Sequence, residues 1–221
     1  MVRRDSQGDS QMSAGNFGGL AIAYDDRLLA PRDWTQAQGR WAGELLADLP
    51  PGDVLELYCG AGQIGLLAVA GSGRRLVCVD VNPVATHYTR RNAEGAGVDV
   101  MTRTGSVHDV LGDGEVFPLI IADPPWVPRA QVHAFPEDPR LAIDGGEDGL
   151  ARIRECAAAI DGHLGPGGVA LAQLAPGDEQ ADAVVDMTRG TSLVCGERRY
   201  FERGTLLRID RPVDWGGQAS P

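Results

Sequence analysis

Two stretches of the chain combine side chains that can do chemistry with residues that hold a backbone still. The first is Ile120-Ile121-Ala122-Asp123-Pro124-Pro125-Trp126. Paired prolines restrict the backbone and remove two N–H donors, so the carbonyls there are left as acceptors. Asp123 adds a carboxylate acceptor, and Trp126 offers a flat face on which a planar group can stack. Together they suit a holder for an NH2 group on an amide or a heteroaromatic ring. Asp123, Pro124 and Trp126 are the candidate catalytic residues, with Pro125 as a substrate contact. A plain turn after a strand would need neither the acid nor the aromatic.

The second stretch runs from Asp53 to Gly65, Asp-Val-Leu-Glu-Leu-Tyr-Cys-Gly-Ala-Gly-Gln-Ile-Gly. It reads as a buried strand from Val54 to Tyr58, a turn through Gly60 and Gly62, and a helix opening through Gly65. Glycines directly after a strand let backbone approach a ligand, and a helix start presents free N–H groups. Gly60-x-Gly62-x-x-Gly65 with Asp80 downstream fits a dinucleotide pattern as written. Glu56 inside the strand and Cys59 before the first glycine favour another ligand. A carboxylate so placed repels a pyrophosphate but suits an ammonium and a sulfonium. Asp80, ending the second strand, is placed to accept two ribose hydroxyls. Asn82 either assists it or serves as turn chemistry before Pro83.

The elements that must position these residues alternate. Strands are expected at 54–58, 75–80, 98–102, 116–122, 168–174, 192–195 (or on to 201) and 205–209. Helices are expected from Thr35, as N-cap, to Pro50, and over 83–95, 150–164 and 178–189. Alternation implies a mostly parallel sheet covered on both faces, with the ligand at the carboxyl ends of the strands. The last helix, strand, tight link and strand imply an antiparallel closing hairpin. Residues 1–14 are expected to form a disordered tail, 15–210 a single domain, and 211–221 a loose tail.

Composition narrows the function classes. At 221 residues and 43% hydrophobic, one domain with a sizeable core is the default. No apolar run approaches a membrane span and the start lacks the apolar stretch of a signal peptide, so a cytoplasmic protein is expected. The four cysteines are scattered and read as reduced thiols rather than metal ligands. Net charge is −11 and every basic residue is arginine, which disfavours binding long nucleic acid by phosphate neutralisation.

Glu56-Leu57-Tyr58-Cys59-Gly60-Ala61-Gly62 resembles motif I of the class I S-adenosylmethionine (SAM) methyltransferases, and Asp123-Pro124-Pro125-Trp126 resembles the Asn/Asp-Pro-Pro-aromatic motif of those that methylate amino or amide nitrogen. Leu28 to Thr35, with Arg32, looks like the Ile-Pro-Arg-Pro-Glu-Thr segment of the HemK-type protein-glutamine methyltransferases. Asp144 to Leu150 looks like their Gly-Gly-x-Asp-Gly-Leu helix start. The resemblance covers roughly residues 28–175. It implies a Rossmann-like α/β fold with a seven-stranded sheet, SAM as cofactor, and Glu56, Cys59, Gly60, Gly62, Asp80 and Asn82 around it. It also implies that Ser106 or Asp109 meets the adenine amino group, and that Arg32 faces the substrate. Apart from the resemblance, the long segment between Trp126 and Asp144 reads either as a lid or substrate clamp, with Arg129 and His133 placed to contact an acidic substrate group, or as a solvated loop. Asp123 stands where that family has Asn and Trp126 where it has Tyr, and the family's N-terminal helical domain is expected to be missing. The methyl acceptor stays open between protein, small molecule and, third, RNA; any activating partner is unknown. The alternative of another class is a non-catalytic SAM or dinucleotide sensor.

Overall fold

The computed structural model describes residues 12–213. Seven strands form one sheet: β3 (Val54–Leu57), β4 (Leu76–Asp80), β5 (Val100–Thr104), β6 (Phe117–Ala122), β7 (Leu164–Leu174), β8 (Val194–Phe201) and β9 (Gly204–Asp210). Their order is β5-β4-β3-β6-β7-β9-β8, parallel from β5 to β7 and antiparallel through β9 and β8. This is the expected Rossmann-like class I methyltransferase sheet with its antiparallel final hairpin. Strand order reverses beside β3, and such a switch point opens a crevice at the carboxyl ends of β3 and β6.

Helices cover both faces. On one side α1 (Gln36–Leu46), α2 (Gln63–Val69) and α3 (Pro83–Ala96) pack on Val54, Leu76, Cys78, Leu119 and Leu171. On the other, α4 (Val107–Val110), α6 (Ala151–His163) and α7 (Glu179–Met187) pack on Leu55, Leu57, Val77, Ile120 and Leu207; the short α5 (Arg140–Ile143) lies in the segment between β6 and α6. Central strands are thus apolar on both faces, as a covered parallel sheet requires. No helix among the described residues is long and apolar enough to cross a membrane.

Four local expectations shift. A hairpin of β1 (Ser13–Phe17) and β2 (Leu20–Tyr24) precedes the domain; β1 starts at Ser13, inside the stretch expected as a tail, while residues 1–11 lie outside the described residues. Phe17 and Ile22 are fully buried, and the Asn92 amide of α3 bonds both Ala23 backbone groups and the Ala61 carbonyl, which fastens the hairpin to the glycine turn. Thr35 stands at the N-cap position of α1, as expected, but its side chain makes no capping bond. It closes a 3-10 turn (Asp33–Thr35), and its hydroxyl donates to the Arg32 carbonyl. The third strand of the sheet starts at Val100 rather than Val98, because Gly97 ends α3 in a left-handed turn and the next two residues complete it. Arg211 is not loose: its backbone pairs with Gly167 and Gly168, and its guanidinium bonds Asp161 and Ser192; residues 214–221 lie outside the described residues.

Candidate active site

A cavity of about 480 Å³ opens at the switch point. One wall of it is the glycine turn. Gly62 N–H donates to the Cys59 carbonyl and Gly60 N–H to an Asp80 carboxylate oxygen, at 2.7 and 3.0 Å. Gly60 has φ +53, and a side chain there would project into open space, so its backbone borders the cavity. Gly62 and Gly65 serve packing instead. A Cβ on Gly62 would lie 2.9 Å from Thr89, and one on Gly65 would collide with the Glu56 carboxylate. Tyr58, at φ +57, is the one non-glycine residue among those described in the left-handed region, a conformation that costs a β-carbon-bearing residue roughly 1–2 kcal/mol. Its hydroxyl donates to Glu155 at 2.7 Å, and both residues line the cavity.

The candidate cofactor residues fall into two groups. Gly60, Asp80, Asn82 and Ser106 line the cavity. Asp80 accepts from the Gly60 and Asn82 backbone N–H groups, and burial raises its pKa. Asn82 caps α3 by accepting from Val84 N–H. Ser106 caps α4, and its hydroxyl donates to Asp109 at 2.6 Å; of the two, Ser106 reaches the cavity. Glu56, Cys59, Gly62 and Asp109 are not among the lining residues. Glu56 is buried beneath α2, where it accepts from Gly65 N–H at 3.0 Å and from the Cys78 thiol at 3.5 Å; burial pushes its pKa up to about 8. The buried Cys59 thiol lies 3.6 Å from the Thr89 hydroxyl.

At the acceptor end, Asp123 and Pro125 line the cavity directly after β6. Burial pushes the Asp123 pKa up to about 7; among the described residues no cation or hydrogen-bond donor opposes it. Pro124 is buried and is not a lining residue. Trp126 packs against the core on the α6 side, and its carbonyl accepts from Gln180. Arg129 lines the cavity with its Nε on Asp144. Arg32 lies outside it, paired with Asp138, and so ties the segment before α1 to the loop after Trp126.

Sequence reasoning missed two glutamines. Gln38 of α1 is fully buried, and its Nε2 donates to the carbonyls of Ala122 and Leu171, each at 3.0 Å, pinning the end of β6 immediately before Asp123. The available signal was a polar residue on the buried stripe with Trp41 and Ala42. Gln63, the first residue of α2, lines the cavity with a buried Oε1 that has no partner. These groups fit SAM: an unpaired acceptor for an ammonium, an acid at the end of β4 for a ribose, and a glycine turn open to close approach. Among the described residues no cluster of His, Cys, Asp and Glu could hold a metal ion.

Comparison with known proteins agrees with this geometry. Residues 43–136 match the methyltransferase small domain family. The chain is 35% identical over 178 residues to a release factor glutamine methyltransferase of Geobacter sulfurreducens, covering 77% of this chain and 61% of that one. It is 31% identical over 186 residues to a ribosomal protein uL3 glutamine methyltransferase of Bradyrhizobium diazoefficiens, covering 74% and 56%. It thus spans about three fifths of the length of the curated relatives it matches. A methyltransferase structure from Pyrococcus furiosus superposes with TM-score 0.64 at 18% identity, over 88% of this chain and 90% of that one. By sheet order, motif and sequence relationship, the chain belongs to the class I methyltransferases and is a relative of the HemK-type glutamine methyltransferases.

Proposed function

We propose that this protein is a cytoplasmic SAM-dependent N-methyltransferase whose acceptor is a side-chain amide of a protein, glutamine first. The observation that carries the reading is Asp123: an acceptor group at the cavity end of β6, raised in pKa by burial, with no donor upon it among the described residues. The kinship with glutamine methyltransferases supports the choice of acceptor.

In this reading Asp80 and Asn82 hold the ribose, Ser106 meets the adenine, and Gly60 and Gln63 face the amino-acid end. When bound, SAM supplies an electrophilic methyl group. Asp123, beside Pro125 in the cavity wall, accepts a hydrogen bond from the acceptor NH2 and thereby aims its lone pair along the cavity. Gln38 keeps the strand end beneath Asp123 from shifting. Holding two reactants in register can supply on the order of 7–11 kcal/mol, so a strong base is not required. A carboxylate with a pKa near 7 can also take the proton that nitrogen gives up.

Methyl-labelled SAM incubated with source-cell lysate, separated into protein, RNA and small-molecule fractions, tests the reading. Label in the protein fraction with wild type and none with Asp123→Ala is expected, while calorimetry shows SAM binding retained in the variant. Label in another fraction overturns the protein acceptor. Binding of NAD in place of SAM overturns the cofactor.

A further inference from the structure

The segment between Trp126 and α6 ends in a stapled base. Val127 N–H donates to the Ile143 carbonyl, Gly145 N–H to Val127, and Arg129 N–H to Gly146 at 2.8 Å. The loop therefore cannot swing freely where it meets the cavity. Asp144 sits at that base with both oxygens engaged. Oδ1 accepts from Gly146 N–H at 2.9 Å, and Oδ2 accepts from Arg129 Nε at 3.2 Å and Arg140 Nε at 3.1 Å. The Gly146 N–H and the two guanidinium groups keep the Asp144 carboxyl below its ordinary pKa, so it is ionised.

The charges do not balance. Two guanidinium groups share one carboxylate, leaving a local excess of positive charge around Asp144 in a chain whose net charge is −11. Each arginine spends only its Nε on Asp144. Among the described residues neither terminal NH2 fork has a hydrogen-bond acceptor, and the side chains are 58% and 68% exposed. Arg152, also on the rim, is paired with Glu155 and contributes no excess. The two free forks belong to the segment that follows Asp123, and both arginines line the same cavity as it. Guanidinium forks are matched to carboxylates in a bidentate geometry, and here they are already oriented.

We infer that Arg129 and Arg140, braced by Asp144, form a carboxylate-binding subsite that selects peptide acceptors carrying an acidic residue close to the methylated glutamine. The inference rests on the protein-amide reading above. A carboxylate is favoured over a phosphate because Asp144 and Glu155 stand within the same rim and repel a dianion more strongly than a monoanion. The exposed leucine Leu141, next to Arg140 and also lining the cavity, gives the peptide an apolar contact beside the charge.

The test is methylation of a random pool of short glutamine-containing peptides with labelled SAM, followed by sequencing of the methylated fraction. Wild type should enrich Asp or Glu near the modified glutamine by about tenfold, falling at high salt. The Arg129→Gln, Arg140→Gln double variant should lose that enrichment while its thermal midpoint and its affinity for S-adenosylhomocysteine stay at wild-type values. Methylated glutamine without acidic enrichment overturns the subsite and leaves the amide reading standing. Loss of S-adenosylhomocysteine affinity in the double variant also overturns it, because the arginines would then hold the cofactor's own carboxylate. No methylated glutamine from any peptide, with label passing instead to a small molecule or RNA, overturns the amide reading and the subsite with it.

Discussion

Glu56, inside β3, and Asp123, the residue directly after β6, are carboxylates at the point where the strand order reverses, and both have pKa values raised by burial, to about 8 and about 7. They are put to opposite use. Glu56 shares the face of Val54 and points beneath α2, where the chain wraps back and supplies the Gly65 N–H and the Cys78 thiol. Among the described residues nothing wraps back onto Asp123. Two prolines follow it, so the next two residues have no N–H to offer. The same group is a brace where it is fully buried and, half-buried at the cavity edge, an unspent acceptor. The difference lies in what the following residues can donate.

The largest effects should separate the two. Asp123→Ala is expected to lower kcat by about 10²–10³ through lost positioning and electrostatic stabilisation, with SAM affinity nearly unchanged and no loss of thermal stability. Glu56→Ala should do the reverse. It leaves a buried N–H without an acceptor and a hole under α2, at a cost of about 2–4 kcal/mol in urea unfolding. If Asp123→Ala unfolds the protein as Glu56→Ala does, the contrast between brace and acceptor is wrong.

The glycines sharpen the same contrast on a smaller scale. Gly65→Ala drives a methyl into the Glu56 carboxylate and to 2.9 Å from Leu76, so a loss of about 1–3 kcal/mol in stability is expected. Gly60→Ala meets no atom, but at φ +53 it costs roughly 1 kcal/mol in strain and places its methyl in the cavity. Its larger effect should be on SAM affinity, read by calorimetry. Equal SAM affinity in Gly60→Ala and wild type would remove the glycine turn from the cofactor site.

What was legible in the sequence follows from the same division. The strand ends at Asp80 and Asp123 and the glycine turn could be read because local pattern decides them: short apolar runs, then residues with special backbones. Where Glu56 points was readable in principle, since period-two alternation puts it with Val54, but its partner lies nine residues on and is a backbone group that no side-chain motif reveals. The hairpin of β1 and β2 was missed because Ser-Ala-Gly-Asn-Phe has little strand character; it is held by long-range bonds from Asn92 instead. Tyr58 gave no sign of its left-handed backbone, which the turn around it imposes. The rim arginines were visible as residues, but their shared carboxylate depends on a loop whose two ends must first be stapled together.

The smallest effect is the pH slope, and its sign is unusual. Native Asp123 keeps its proton until about pH 7, whereas in the unfolded chain it gives it up near 3.8. Glu56 behaves likewise between 4.5 and about 8. Over these windows the native state binds more protons than the unfolded state, so stability falls as pH rises, by at most about 1.4 kcal/mol per pH unit for each group. Asp123 should contribute well below that limit, because its carboxylate borders a cavity that solvent can enter. Asp123→Asn keeps the shape and removes the titration, so its stability should fall less steeply than wild type between pH 5 and about 7, while the Glu56 slope persists toward pH 8. Urea midpoints at several pH values read this directly. A variant as steep as wild type across that window would mean that Asp123 is already ionised in the native protein, held by water rather than by a dry wall, and the comparison with Glu56 would lose its basis.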